Sequence, residues 1–459
     1  MAQIKTTTNL THGNILPTLI KFTIPILLSI LLQTAYGTAD LFIVGQFSDV
    51  ANVSGVSIGS QLSQIFINLC VGISMGATVL IGRYIGAKDD NRASKVVGSS
   101  IFGFSILAVL CTIIILTFSD TLITLMQAPS ESFAHAKSYL FISGTGAVFI
   151  VFYNLLGSIF RGIGDSKTPL LTVFIACITN IILDLIFVAG FNMGAAGAAT
   201  ATVIAQAVSV LLSVIVIRKN GLPFKFKPKH IKFNKKYINA ILKIGIPSAL
   251  QMVLASFSFL ALSSIMNGLG VAASAAVGIV GKITGVILVV PQAFSQSLSS
   301  FTAQNIGANR LDRANKGLIY AISISLLFGA ITAYLSFFHG TLFTQMFTSD
   351  PDATAASLSY LKSYSPDCLL VAFIFTFNGY FNGCGKTTFV MLQSILGAFL
   401  IRIPFSYWFS TFDNTSLFLI GLAIPLSSLV QIFSSGIYFK RSQKELKHFH
   451  SNKTETIKV

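Results

Sequence analysis

The chain has 459 residues, of which 53% are apolar and only 10% charged, and its mean hydropathy is +0.77. A soluble protein keeps about a quarter of its residues charged, so this composition excludes a soluble globular chain and predicts an all-α integral membrane protein. The net charge of +16 would suggest a nucleic-acid binder in a soluble protein, but its placement along the chain argues for membrane topology and no nucleic acid.

The first apolar stretch begins near Leu16. It runs too long for a signal-peptide core and lacks a small-residue cleavage site, so it is read as a retained first span. A spanning helix needs roughly 20 apolar residues. Twelve such stretches follow one another, at about 17–44, 53–80, 96–118, 135–160, 169–189, 196–217, 241–268, 273–300, 317–338, 357–382, 389–409 and 417–439. Backbone in lipid must satisfy its own hydrogen bonds, so these are helices.

The loops alternate in charge. Segments 1–16, 81–95, 161–168, 218–240, 301–316, 383–388 and 440–459 hold 25 of the 31 Lys and Arg residues. The intervening loops hold none, and carry the acids Asp49, Asp120, Glu131, Asp350, Asp352 and Asp413. By the positive-inside rule both termini are cytoplasmic, in a multi-pass protein of a bacterial-type plasma membrane. The run "KFKPKHIKFNKK" (225–236) is an inside-loop determinant that could also hold anionic lipid headgroups.

Two stretches repeat. "YIGAKDDNRASK" (84–95) and "NIGANRLDRANK" (305–316) match at six of twelve positions, at a constant offset of 221. "FRGIGDSKT" (160–168) matches "FNGCGKT" (381–387) with two residues deleted, and "KFTIP" (21–25) faces "KIGIP" (243–247). The chain is therefore expected to hold an N-terminal lobe (1–217), a basic linker (218–240), a C-terminal lobe (241–439) and a basic tail (440–459). Six spans per lobe make pseudo-symmetric parallel repeats, related by an axis along the membrane normal. Such pairs enclose a central cavity and alternate access by rocking, which favours a transporter over a receptor or an enzyme. The repeat also disposes of "GCGKTT" (383–388) as a phosphate loop. That motif needs glycine where Tyr380 stands, and its twin is an ordinary turn.

No nucleophile–base–orienter set appears. The five cysteines, Cys70, Cys111, Cys177, Cys368 and Cys384, form no C-x-x-C pair and read as buried small hydrophobes. The six histidines lie in tails, loops or near span ends and suggest no metal site. The chemistry lies with the charges inside the spans: Asp40, Asp184, Lys282, Arg402 and, nearer the outer surface, Asp367. An ionisable group at mid-membrane costs about 2.5 kcal/mol or more, so each marks a functional hypothesis. Asn180 stands four residues before Asp184, on the same helix face. Asn154 and Tyr139 in span 4 and Thr202 in span 6 offer further oxygen ligands. Two carboxylates with neutral oxygens suit a hard cation, with Asp40, Asp184 and Asn180 as ligands for Na⁺. Without a metal ion, two carboxyl groups out of water favour holding a proton. In the second half Lys282 and Arg402 stand where the first has Gln61 and Leu183. This reads as an internal counter-ion arrangement with Asp367.

The proline of span 1, Pro25, together with "DLFIVGQ", "IGRYIGAKDDNRA", "NIGANRLDRA" and "FRGIGDSKTP", resembles the MATE (multidrug and toxic compound extrusion) family over about residues 10 to 440. The resemblance implies twelve helices in two lobes forming a V-shaped cleft. It implies export of organic cations and other amphipathic drugs in exchange for Na⁺ or H⁺, with no cofactor beyond the coupling ion. In one branch of the family the ion site is an aspartate on helix 1, an Asn-x-x-x-Asp on helix 5 and polar partners on helices 4 and 6. Asp40, Asn180, Asp184, Asn154, Tyr139 and Thr202 fit that pattern. The other branch has a glutamate on helix 7 and an aspartate on helix 10. Span 7 here offers only Gln251 as a large polar group, and Asp367 keeps a fragment of that arrangement.

A monomer is expected, with membrane lipids and small-molecule drugs as partners. A bend at Pro25 is expected to open and close the lobe around Asp40. The row Phe373, Phe377 and Phe381 is placed either in the cleft or against lipid. Two other functions are alternatives: a flippase for a lipid-linked sugar, which needs more cavity cations than Lys282 and Arg402, and a channel or receptor-like membrane protein.

Overall fold

The computed structural model describes residues 7–348, 350–412 and 416–455. Asp413, and Lys5 and Lys458 near the two ends, lie outside the described residues. Every regular element among the described residues is helical. The chain packs as two compact units that meet in sequence at Ala249 and Leu250. That boundary falls inside a helix rather than in the basic linker.

The first unit contains α1 (Ile15–Phe47), α2 (Val50–Gly86), α3 (Asp90–Leu125), α4 (Ser130–Thr145), α5 (Ala147–Ile163), α6 (Lys167–Asp184), α7 (Gly194–Asn220) and the start of α8 (Lys235–Asn267). Two of these helix starts carry side-chain caps. Asp49 accepts from the Asn52 N–H at 2.8 Å, which holds its carboxyl below the usual carboxylate range, and Asp89 accepts from the Arg92 N–H. The first turns of α8 belong to the first unit because glycines admit them. A Cβ on Gly245 would lie 2.6 Å from the Ile73 carbonyl oxygen, and Gly72 and Gly76 meet the α8 backbone at Ala249 and Ile241.

The second unit takes the rest of α8, then α9 (Val271–Ile287), α10 (Val289–Gly307), α11 (Leu311–Phe338), α12 (Gly340–Thr344), α13 (Pro351–Gly383), α14 (Thr387–Ile395), α15 (Ile403–Ser410), α16 (Leu417–Gly421) and α17 (Ala423–Glu455). Its core gathers Leu262, Met266, Ile283, Tyr360, Tyr364 and Ile424.

Nine helices among the described residues are apolar and long enough to cross a bilayer, and eleven spans result if each bent pair counts as one. The bent pairs are α4–α5 (56°) and α9–α10 (42°), which occupy expected spans 4 and 8. The first bend falls at Gly146, whose bare backbone packs on Val203 of α7. The second precedes Pro291, which has no N–H to donate into the preceding turn. The remaining expected span, the tenth at 357–382, lies in α13. The first half of that helix, "PDATAASLSYLKSYSPD", is polar, so it falls short of the apolar length the others meet.

The sequence repeat recurs as backbone geometry at the same offset. Lys88 and Asn309 both adopt positive φ (56° and 58°), as do Gly164 and Gly385 (88° and 69°). The Asp165 N–H donates to the Phe160 carbonyl at 2.8 Å, and the Lys386 N–H to the Phe381 carbonyl at 2.8 Å. Gly162 lies over the Thr78 carbonyl, where a Cβ would approach to 3.1 Å. Gly383 lies over the Ser299 carbonyl, where it would approach to 2.6 Å. Small residues at these crossings let the helix backbones touch, which is how helices gain contact in a solvent as apolar as themselves.

Both halves also depart from the α-helix at one place that hydropathy does not reveal. After Asp184 the chain runs as a π-helix through Leu185–Gly190, and before Ile403 it does so through Leu396–Arg402. In each half the π segment abuts a charged residue. A π turn takes an extra residue and re-aims the side chains beside it, and such segments gather at functional sites.

Candidate functional site

The first unit brings three elements together around two carboxylates. Asp40 comes from the C-terminal half of α1, Asn180 and Asp184 from α6, and Thr202 from α7. The run "GAAGAA" at the start of α7 makes the approach possible. A Cβ on Gly197 would lie 3.2 Å from the Phe187 backbone, just past Asp184. Around the polar cluster the packing is apolar, through Ile43, Val44, Val56, Val188, Ala195 and Ala198.

Within this shell Asn180 Nδ2 donates to Thr202 Oγ1 at 3.5 Å, and Thr202 Oγ1 donates to Asp40 Oδ2 at 3.2 Å. The threonine hydroxyl is thereby committed on both sides. Asp40 and Asp184 face one another, and they are 6% and 0% exposed. Four buried acceptor oxygens are left without a donor: Asp40 Oδ1, both Asp184 oxygens and Asn180 Oδ1. Two facing carboxylates out of water repel, and unmade hydrogen bonds of this kind are expensive. The arrangement is electrostatically complete only with a positive charge among these oxygens, whether a proton on the pair or a hard cation between them. Among the described residues no three His, Cys, Asp or Glu side chains converge, so the donor set does not suit a transition metal.

Tyr139 of α4 is 5% exposed, with its hydroxyl beside Thr202 and near both aspartates. Gly59 of α2 sets its position, since a Cβ there would lie 2.6 Å from the tyrosine ring. Sequence reasoning missed Gly59, and it missed Tyr36 and Gln206. Tyr36 lies beside Asp40 and faces Gln206, whose Oε1 is a further buried acceptor without a donor. The spacing of Tyr36 and Asp40, one helical turn apart, was the available signal. Asn154 is half-buried on α5 and donates to the Ile150 carbonyl of its own helix at 2.8 Å, so its amide N–H serves α5 rather than the cluster.

The second unit is built differently. Arg402, at the end of its π segment, stacks over the Phe259 ring at 4.8 Å and reaches Ser258 Oγ at 3.5 Å. Its charge lies near Asp367, Tyr360 and Tyr364. Asp367 is 3% exposed and leans on Ser428, yet its Oδ1 has no donor and Arg402 Nε no acceptor. The two charges share a neighbourhood without direct contact. Arg92–Asp89 and Lys137–Asp120 form ion pairs at the surface. Lys282 is exposed on α9 and Gln251 half-buried on α8. Phe381 faces neither cleft nor lipid. It is fully buried against Tyr438 (5.3 Å) and Phe389 (5.2 Å), with Phe377 stacked on it at 5.9 Å.

Comparison with known proteins gives this geometry its setting. The MatE family model matches residues 25–186 and matches again over 247–408, each time opening on a proline inside the first helix of a half. The chain belongs to the MatE family. MatE proteins are membrane transporters, so this chain is an integral, multi-pass membrane transporter and not an enzyme. It is similar to the probable multidrug resistance protein YpnP of Bacillus subtilis, 26% identical over 431 residues, covering 94% of this chain and 96% of that one. It is 27% identical over 387 residues to the multidrug export protein MepA of Staphylococcus aureus, covering 84% and 85%. Its fold matches that of a MOP superfamily transporter from Pyrococcus furiosus, with a TM-score of 0.91 at 23% identity over 97% of this chain and 99% of that one.

Proposed function

We propose that this MatE protein is a secondary-active exporter of organic cations and amphipathic drugs, driven by exchange against H⁺ or Na⁺ at Asp40, Asp184, Asn180, Thr202 and Tyr139. The observation that carries this reading is the set of four buried acceptors left without donors between two facing carboxylates. Multidrug transport is what the names of the Bacillus and Staphylococcus relatives describe, which supports the substrate class.

A coupling ion works only by binding one conformation better than the other. Asp40 lies on α1, fifteen residues beyond Pro25, while Asp184 lies on α6. A change of bend in α1 therefore alters the distance between the carboxylates and with it the affinity for a cation. Cation entry favours the closed pair, and the drug favours the other state. In this reading Arg402 is a fixed counter-ion for Asp367 and does not exchange. The protein acts as a monomer in the plasma membrane with both termini cytoplasmic, which the one-sided distribution of Lys and Arg supports.

The test is ethidium flux in proteoliposomes with Na⁺ and H⁺ gradients imposed separately. One gradient should drive concentrative transport, and the Asp40→Asn, Asp184→Asn double variant should lose it. Full ion-driven flux in the double variant would overturn the mechanism, and a protein that moves no drug under either gradient would overturn the exporter.

A further inference from the structure

The connection between α7 and α8 does more in the structure than mark the basic side of the membrane. It is a strap clamped to α3. The His230 carbonyl rests directly on the Gly98 backbone, where no Cβ would fit. Phe224 is buried at 5% exposure, Phe226 packs on the His230 ring at 5.8 Å, and Phe233 meets Phe102 edge-on at 6.0 Å. Through "FKFKPK" the aromatic and basic residues alternate, and Lys227 has extended backbone (φ −130°, ψ 149°). Phe224 is buried and Phe226 half-buried, whereas Lys225, Lys227 and Lys229 are exposed.

Those three lysines and His230 line a cavity of about 610 Å³ with the first turn of α3. Asp90 is the only acid on its wall, and none of the three lysines is ion-paired among the described residues. Further along α3, on the other side of the clamp at Gly98, lies a second cavity of about 220 Å³. Its walls are apolar, among them Phe104, Leu107 and Leu110 of α3 and Ile241 and Leu242 of α8. At its near end stand Ser99 and Ser100, and the buried Ser100 Oγ has no partner. Ser94 in the basic cavity and Ser100 in the apolar one are six residues apart, about 9 Å along the helix. Where the strap faces outward it alternates apolar and basic again, with Ile231 (40% exposed) and Phe233 (60% exposed) on either side of Lys232. This is the composition of a segment lying at a lipid interface.

We propose that this pair of cavities is a binding site for one anionic phospholipid. The phosphate and acidic headgroup lie against Lys225, Lys227 and Lys229, and an acyl chain enters the groove between α3 and α8. Charge complementarity and the apolar cavity on the other side of the strap argue for a lipid over a soluble anion. The strap leads directly into α8, so the lipid braces the segment that joins the two sequence halves.

The test uses the purified full-length chain in detergent. Retention of phosphatidylglycerol and of phosphatidylcholine is measured by native mass spectrometry, and thermal protection by each lipid and by inorganic phosphate is measured alongside. The expected result is one tightly held phosphatidylglycerol, little phosphatidylcholine and no protection by phosphate. Neutralising Lys225, Lys227 and Lys229 together to Gln should weaken retention by about 100-fold, at about fivefold per lysine. These side chains are exposed, so the variant folds. Gly103→Leu fills the apolar groove from a position with open space around its Cα. It should lose the lipid with all three lysines intact. Equal retention of the two lipids, unchanged retention in the lysine variant, or protection by inorganic phosphate equal to that by phosphatidylglycerol would overturn the proposal.

Discussion

Replacing Asp184 by Asn tests the coupling site most directly, because the amide keeps the size of the carboxyl group and removes only its charge. Asp184 is fully buried and both of its oxygens lack donors. A cation between Asp40 and Asp184 interacts with each at about 4 Å or less, and at an effective dielectric of about 20 one unit charge at that distance contributes about 4 kcal/mol. Asp184→Asn should therefore lower cation affinity by about three orders of magnitude. Stability should not fall with it. Loss of one charge removes the repulsion between two facing carboxylates, and the new amide N–H can donate to the orphaned Asp40 Oδ1. The thermal midpoint of the variant without ions should equal or exceed that of the parent. The assay pairs thermal shift in a Na⁺ titration and in a pH series with ethidium flux in proteoliposomes. The parent should be stabilised by its coupling ion by RT ln(1 + [L]/Kd), and the variant should show no stabilisation at the same concentration and no concentrative flux. Ion-dependent stabilisation and flux at parental levels in Asp184→Asn would refute the argument.

Asn180→Ala removes the donor to Thr202 and one of the four acceptors, so ion affinity should fall by about tenfold in the same titration. Pro25→Ala restores an i→i−4 hydrogen bond within α1. Transport should slow at saturating ion gradient while expression holds, and an unchanged flux would remove the hinge from the mechanism. Arg402→Ala leaves Asp367 buried without a neighbouring cation and should destabilise by about 3 kcal/mol in denaturation, with ion response retained. Lys282→Ala, at an exposed position, should stay within about 0.5 kcal/mol. For topology, Val50 (85% exposed) and Asn91, also exposed, are suitable cysteine positions. An impermeant thiol reagent should label Val50→Cys in intact cells and Asn91→Cys only after permeabilisation.

What can be read from the sequence here is whatever depends on one residue at a time or on a regular recurrence. Apolar transfer energy is a property of each side chain, so the spans emerged from the order of residues alone. The split of Lys and Arg between alternate loops emerged in the same way. The duplication was legible because its turns demand particular residues. Gly164 and Gly385 match in sequence and sit in the same left-handed geometry at the same offset. Asp40, Asn180, Asp184 and Thr202 stood out because polar atoms in lipid are costly, and the structure links Asn180, Thr202 and Asp40 by hydrogen bonds with Asp184 facing Asp40.

The rotation of each helix about its axis was decided only by packing. A helix that is apolar all round has no preferred face, so the sequence did not show that Asn154 bonds its own helix, that Lys282 points outward, or that Tyr36 joins Asp40. Gly59 gives no local signal that it seats the Tyr139 ring, because the contact spans 80 residues of chain. The breaks at Gly146 and Leu288 and the π turns beside Asp184 and Arg402 lie within apolar runs whose hydropathy does not change. At Gly146 the bare backbone meets the Val203 side chain of another helix, and beside Asp184 the π segment meets Gly197; contacts with another helix do not change the hydropathy of the run that carries them.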